Sequence, residues 1–201
     1  MVNESIAAAL KGTRSELMTS ELEAIALRLF EERGYTNVTV DEIAAAAQIS
    51  VRTFYRYFPS KDLLLQVRVD RRSAAVREAL AARPADEALM TSLRVALSEA
   101  TGAEDPEMVR RWITVVATSP DLIRGALGGI QLKVQGAIAD FIASRTTATD
   151  DAFASTILAG AVGGAVQAAL RHWFVTGGDL SATIAESLEV LERLGEHPTL
   201  R

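Results

Sequence analysis

The 201-residue chain contains no cysteine. Neither a disulfide framework nor a thiolate metal site is therefore open to it, and a reducing cytoplasm is its expected location. Histidine is nearly as scarce, with His172 and His197 the only two. No segment of any length alternates apolar and polar residues at the period of a strand, and no glycine-rich phosphate loop follows one. The paired acids Glu104-Asp105 and Asp150-Asp151 precede expected helices, where they read as caps rather than metal ligands. These absences point away from an enzyme, and no metal or cofactor is expected. The opening residues MVNESIAAALKG lack a basic stretch followed by a long apolar run, so no secretory signal is expected.

One segment imitates a membrane span. Residues 152–170 carry no charge, close to the roughly 20 residues a bilayer requires. The run is mostly Ala, Gly, Ser and Thr, bounded by Asp150-Asp151 and Arg171, and has no second candidate beside it. A buried or self-associating helix is the expectation, with no membrane partner.

Hydrophobic residues make up 49% of the chain and charged residues 23%, the balance of a globular protein with enough length for one or two domains. Net charge is −5, but the sign is unevenly distributed. Between residues 50 and 77, Arg52, Arg56, Lys61, Arg68, Arg71, Arg72 and Arg77 face only Asp62 and Asp70. A basic patch on an acidic body suits a protein that meets DNA through one face.

That patch begins in residues 39–58, which read as two short helices joined by a tight turn. Thr39 and Glu42 form a Thr-x-x-Glu capping box, and Ile43, Ala44 and Ala47 supply an apolar face. Gln48-Ile49 makes the turn and Ser50 caps the second helix. Phe54 and Phe58 lie four apart on its inner face. Val51, Arg52, Thr53, Tyr55, Arg56 and Tyr57 occupy the other face, offering donors and flat surfaces for phosphates and base edges. The expected device is a DNA-binding helix-turn-helix.

The chain is helical by pattern on both sides. Residues 1–13 form an N-terminal arm. A helix over 14–33 places Leu22, Ile25, Ala26, Leu29 and Phe30 inward, and Gly34 stops it in a left-handed conformation. Tyr35 anchors the link that follows. Ser60 caps a helix from Lys61 to about Arg83 with Leu63, Leu64, Val67 and Ala74 inward, and Pro84 breaks it. The domain boundary is expected there: 14–83 a helix-turn-helix domain with its connecting helix, 84–201 a helical domain. Further helices are expected over 86–101, 106–117, 119–144, 152–176 and 181–194, about nine in all. Gly125, Gly128 and Gly129 should bend or locally unwind the third of these. Residues 146–149 form a loop, and Asp150 or Asp151 caps the next helix.

With these residues in view, the N-terminal third resembles the DNA-binding domain of the TetR/AcrR family of one-component bacterial regulators. The likeness rests on Leu29-Phe30-x-x-x-Gly34-Tyr35, Thr39-Val-x-x-Ile43-Ala44 and Ile49-Ser50-x-x-Thr53-Phe54-Tyr55-x-Tyr57-Phe58-x-x-Lys61. It covers about residues 14–72. The resemblance implies an all-α chain, a helix-turn-helix domain joined to an α-helical ligand-binding and dimerisation domain. Residue by residue, it implies that Thr39, Tyr57 and Lys61 hold phosphates, that Val51 and Arg52 face base edges, and that Thr53 and Tyr55 stand between the two. Ser50 belongs to the same set as the recognition helix's cap. Arg52 could bond a guanine bidentately or touch only phosphate. The chain departs from the family at Gln48, where glycine is usual; a positive φ there costs a glutamine about 1 kcal/mol or more.

Reading two half-sites requires a homodimer. Gly160-x-x-x-Gly164 with Ala168, and Ile184, Leu188 and Leu191 of the last helix, are the candidate interface, the alternative being that they pack within one subunit. Met108, Arg111, Trp112, Val116, Ile123, Leu127, Gln131, Phe153, Gln167, Arg171 and Trp173 are candidates for a pocket holding a hydrophobic or amphipathic small-molecule effector. The expected function is a repressor of palindromic operator DNA released by that effector. The other class, a helical interaction or carrier protein that does not bind DNA, leaves Arg52, Tyr55, Tyr57 and Lys61 unexplained.

Overall fold

The computed structural model describes residues 2–145 and 152–196. Among them no strand is present, and the fold is all-α as expected. Helix α1 spans Val2–Arg33, a 3₁₀ turn Tyr35–Asn37, α2 Val40–Ala46, α3 Val51–Tyr57 and α4 Asp62–Ala81. There follow α5 (Leu89–Gly102), α6 (Pro106–Ala117), the single turn α7 (Pro120–Leu122), a π turn (Ile123–Leu127), α8 (Gly128–Arg145), α9 (Ala152–Thr176) and α10 (Leu180–Glu196). Helix α1 takes in residues 2–13, expected to form a separate arm. The loop at 146–149, the caps at Asp150 or Asp151, and His197 lie outside the described residues.

The chain forms two compact units, Met1–Arg68 with Met108–Ala126, and Val69–Glu107 with Leu127–Arg201. The first cut falls inside α4, after Arg68, and most of α6 with the turn after it groups with the N-terminal helices.

In the first unit the inward stripe of α1 (Leu22, Ala26, Leu27, Leu29 and Phe30) is buried, as are Ile43 and Ala44 of α2 and Phe54 and Phe58. Covering the leucine, isoleucine and phenylalanine side chains among them contributes about 1.5–3 kcal/mol each. A buried ion pair runs through this core: Arg68 Nη1 lies 3.3 Å from Glu23 Oε1. The Trp112 indole is buried and donates to the carbonyl of Leu65 at 3.2 Å.

Helix α4 is turned relative to the sequence expectation. Leu63 and Ala74 are exposed, whereas Leu64, Leu65, Arg68, Val69, Ser73, Val76 and Leu80 are buried. The inner stripe repeats every four residues but carries an arginine and a serine, so apolar residues alone could not reveal its phase.

The second unit packs α10 against α5 and α9, and α8 against α9. Leu93, Ala96 and Leu97 of α5, Ile138 and Ile142 of α8, Val162 and Trp173 of α9, and Ile184 and Leu188 of α10 are buried. Gly163 permits the close approach of α8 and α9: a Cβ there would sit 2.9 Å from Gln135 Nε2 and 3.0 Å from its Cγ. At the C-terminus of α8, Arg145 donates to the carbonyls of Arg83, Pro84, Ala85 and Glu87. One guanidinium thus satisfies acceptors along the whole turn between α4 and α5. The same turn holds Glu87, which accepts from Arg83 Nε at 2.8 Å and from the Ser92 hydroxyl at 2.7 Å. These donors, Arg83 foremost, hold the Glu87 carboxyl at about 2.

The glycines at the helix ends behave as punctuation. Gly34 has φ +83° with ψ 140°, a region closed to side-chain-bearing residues beyond the ordinary left-handed basin. Gly177 and Gly178 end α9 at φ +78° and +90°, and the Trp173 indole caps the turn by donating to the Gly178 carbonyl at 2.9 Å. Near Gly125 the expected local unwinding takes the form of the π turn.

Candidate nucleic-acid interface

The expected capping box is present. Glu42 N donates to the Thr39 hydroxyl at 3.3 Å, and Thr39 N donates to Glu42 Oε2 at 2.9 Å. Arg33 adds an ion pair to Glu42 at 3.0 Å. The Thr39 hydrogen bonds, ahead of Arg33, lower the pKa of the Glu42 carboxyl. A carboxylate here favours the helix start through the dipole as well.

The turn after α2 is a Schellman motif. Ile49 N donates to the Ala44 carbonyl at 3.0 Å and Gln48 N to that of Ala45 at 3.1 Å, the paired bonds that close a helix around a left-handed residue. That residue is Gln48, with φ +55°, the only non-glycine at positive φ among the described residues. The glutamine therefore leaves the turn's hydrogen bonds unaltered and bears the strain in its own backbone.

Helix α3 starts immediately beyond. Ser50 accepts from Thr53 N at 3.0 Å, and its hydroxyl also bonds the Thr53 hydroxyl at 2.8 Å. Phe54 and Phe58 anchor the inner face, their rings 5.8 Å apart. On the other side Arg52 and Arg56 are exposed, Tyr55 is 51% exposed, and Val51, Thr53 and Tyr57 are partly covered. The Arg56 guanidinium lies 5.1 Å from the centre of the Tyr57 ring. The helix thus presents guanidinium and phenol groups on a face rigidly set by two buried aromatics. Such groups can bond phosphate oxygens and base edges.

Lys61 sits differently from an exposed phosphate ligand. Its ammonium donates to the carbonyls of Tyr35 at 2.8 Å and Val38 at 2.9 Å, and lies 4.5 Å from the centre of the Tyr35 ring. Tyr35 in turn donates its hydroxyl to Asp62 and meets Phe30 edge-on. The sequence marked Tyr35 as an anchor but gave no sign of its tie to Lys61, because these partners lie 26 residues apart.

The candidate effector residues are not gathered into one place within either unit. Met108, Arg111, Trp112, Val116 and Ile123 belong to the first, and Phe153, Gln167, Arg171 and Trp173 to the second. Trp112, Val116 and Trp173 are buried core, and both indoles bond backbone carbonyls of their own unit. Arg111 pairs with Glu31 at 2.8 Å, Phe153 and Arg171 are exposed, and Gln167 is partly covered. The side chains of Leu127 and Gln131 lie outside those described. A cleft of 350 Å³ in the first unit is lined instead by residues including Tyr35, Asp62, Leu65, Gln66, Ser119 and Leu122.

The candidate interface residues divide. Gly160, Gly164 and Ala168 are exposed on α9, with open space above both glycines. Phe153, Ile157 and Val175 extend this face, Phe153 being 76% and Val175 84% exposed. Ile184 and Leu188, by contrast, are completely buried in their own unit, so they are core rather than surface; Leu191 is partly covered.

Comparison with known proteins accords with this geometry. Residues 24–67 match the family model described as bacterial regulatory proteins, tetR family, and residues 83–194 match that of the MftR C-terminal domain. A Mycobacterium tuberculosis protein named as the mycofactocin biosynthesis transcriptional regulator MftR is 27% identical over 179 residues, covering 88% of each chain. A TetR-family transcriptional regulator from Syntrophomonas wolfei superposes with a TM-score of 0.70 at 16% identity, covering 91% of this chain and 97% of its own. The transcriptional regulator FadR of Bacillus subtilis, solved with stearoyl-CoA, gives a TM-score of 0.58 at 19% identity, covering 86% and 96%. With matches across both the helix-turn-helix and more than half of the chain beyond it, the protein belongs to the TetR family of bacterial transcriptional regulators.

Proposed function

We propose that this regulator is a cytoplasmic repressor that binds a palindromic operator as a homodimer and is released by a hydrophobic or amphipathic small molecule. The observation that carries the DNA-reading part is the outer face of α3, held between the Ser50 cap and the buried Phe54 and Phe58. In this reading Val51 and Arg52 meet base edges, Thr53 and Tyr55 bridge base and backbone, and Thr39, Ser50 and Tyr57 lie along phosphates. Residues 14–83 form the DNA-binding domain, with α4 as its connecting helix, and 84–201 the effector-binding and dimerisation domain.

The dimer is proposed to form through the exposed face of α9, where Gly160, Gly164 and Ala168 leave room for a partner's backbone and Phe153, Ile157 and Val175 supply apolar area. Apolar residues of the middle helices favour a hydrophobic effector. The stearoyl-CoA held by the FadR of Bacillus subtilis, a protein of the same fold, makes long-chain acyl thioesters the first compounds to test. Enrichment of a palindromic duplex from a random library, followed by its release in an acyl-CoA series, tests the whole reading. Failure to enrich any duplex would refute it.

A further inference from the structure

The helix-turn-helix is a loop of chain whose two ends lie beside each other. It begins at Thr39, the cap of α2, and ends at Phe58. Lys61 joins those ends: its one nitrogen donates at 2.8 and 2.9 Å to the carbonyls of Tyr35 and Val38, the latter immediately before Thr39. The neighbouring Asp62 accepts from the Tyr35 hydroxyl, and the Tyr35 ring stands under the ammonium at 4.5 Å. Start and finish of the motif are thus fastened by two side chains at the head of α4.

We propose that Lys61 acts as a positioning residue for operator recognition, a staple across the base of the motif that sets where α2 and α3 stand, rather than mainly as a phosphate ligand. This rests on the reading that the outer face of α3 contacts DNA. A lysine ammonium has three N–H groups, and two of them are engaged by the backbone carbonyls of Tyr35 and Val38. A phosphate contact and a staple have different consequences. Removing a phosphate contact weakens all duplexes alike and lowers the slope of log affinity against log salt by about one. Removing a staple leaves the phosphate-facing groups in place but loosens their relation to the base-facing ones, so the operator suffers more than other DNA.

The test uses full-length Lys61→Met and two duplexes across a salt series: a palindrome enriched from a random library by the wild-type protein, and a scrambled version of it. The expected result is an operator affinity reduced about tenfold or more, the loss scale for hydrogen bonds from a charged group. The scrambled duplex should change by less than about threefold, with the operator's salt slope retained. Equal losses on both duplexes with the slope reduced by about one would overturn the proposal, as would unchanged operator affinity. If the methionine variant does not fold, Lys61→Arg is read instead, since it keeps the charge while its planar fork replaces the compact ammonium. Selective operator loss then supports the staple, and wild-type affinity refutes it. Enrichment of the palindrome by the wild-type protein establishes DNA recognition separately, so failure of the staple is distinguishable from failure of the functional reading.

Discussion

Gln48→Gly should stabilise the protein without altering DNA binding. Gln48 holds φ +55° at the one position of the Schellman turn that must be left-handed, a conformation that costs a residue with a Cβ about 1–2 kcal/mol. Glycine removes that strain but adds freedom to the unfolded chain, worth about 0.4–1 kcal/mol in the opposite direction. The Gln48 side chain is exposed and buries little, so no packing is lost. The difference leaves a net gain of about 0.5–1 kcal/mol, or about 1–4 °C in Tm for a chain of this size. Gln48→Val tests the other direction, because a β-branched residue is disfavoured further at positive φ and should lower Tm. Paired thermal and urea melts of the three proteins at one concentration read the order. Operator affinity of Gln48→Gly should match wild type, since both turn hydrogen bonds are already in place. A glycine variant no more stable than wild type together with an undiminished valine variant would show that the turn does not hold residue 48 left-handed.

Other perturbations probe other parts. Arg52→Ala should relax sequence preference by about 1–3 kcal/mol at one base position while leaving affinity for scrambled DNA nearly unchanged, as a binding-site selection would read. Gly160→Leu with Gly164→Leu should sediment as a monomer while keeping wild-type helical content by circular dichroism, since both glycines face open space within the subunit and leucine is the better helix former; an intact dimer contradicts the interface. The Glu87 carboxyl is held at about 2 by Arg83, Ser92 and Arg145. Its contribution to stability is therefore full above the usual 4.5 and lost as pH falls from there toward 2. Glu87→Gln should melt lower than wild type at pH 7, with the gap narrowing progressively from about pH 4.5 toward pH 2; a gap independent of pH would refute the assignment.

What could be read in the sequence, and what could not, follows from the range of the interactions involved. The caps at Thr39 and Ser50, the stop at Gly34 and the unwinding near Gly125 depend on residues within about one turn of each other, and all were legible. The phase of α4 was not, because its buried face includes Arg68, whose partner Glu23 lies 45 residues earlier. A charged residue facing inward looks like surface until its counter-ion is located. The same limit explains Ile184 and Leu188. Near-heptad spacing shows that a face is apolar but not whether its partner is another chain or, as here, the chain's own α5 and α9. Lys61 was placed among the phosphate ligands by the family resemblance and by its place in a basic stretch, whereas its hydrogen bonds run backwards to carbonyls that no side-chain pattern records.

The signature shared with the family is therefore mostly a description of scaffolding. Leu29, Phe30, Ile43, Ala44, Phe54 and Phe58 are buried. Gly34 occupies a conformation that requires it, Thr39 and Ser50 cap helices, and Tyr35 and Lys61 fasten the base. The positions that the signature leaves open within α3 are Val51, Arg52 and Arg56, and both arginines are exposed. Fixed residues build a platform, and free ones can vary on its outer face without disturbing a single cap or core contact. This division allows one motif to announce DNA binding while saying nothing about which operator is bound. On the proposed reading, operator sequence dependence falls to Val51 and Arg52, with Thr53 and Tyr55 beside them, where exchanging the two open side chains would change the contacts offered to DNA and leave the framework that presents them intact.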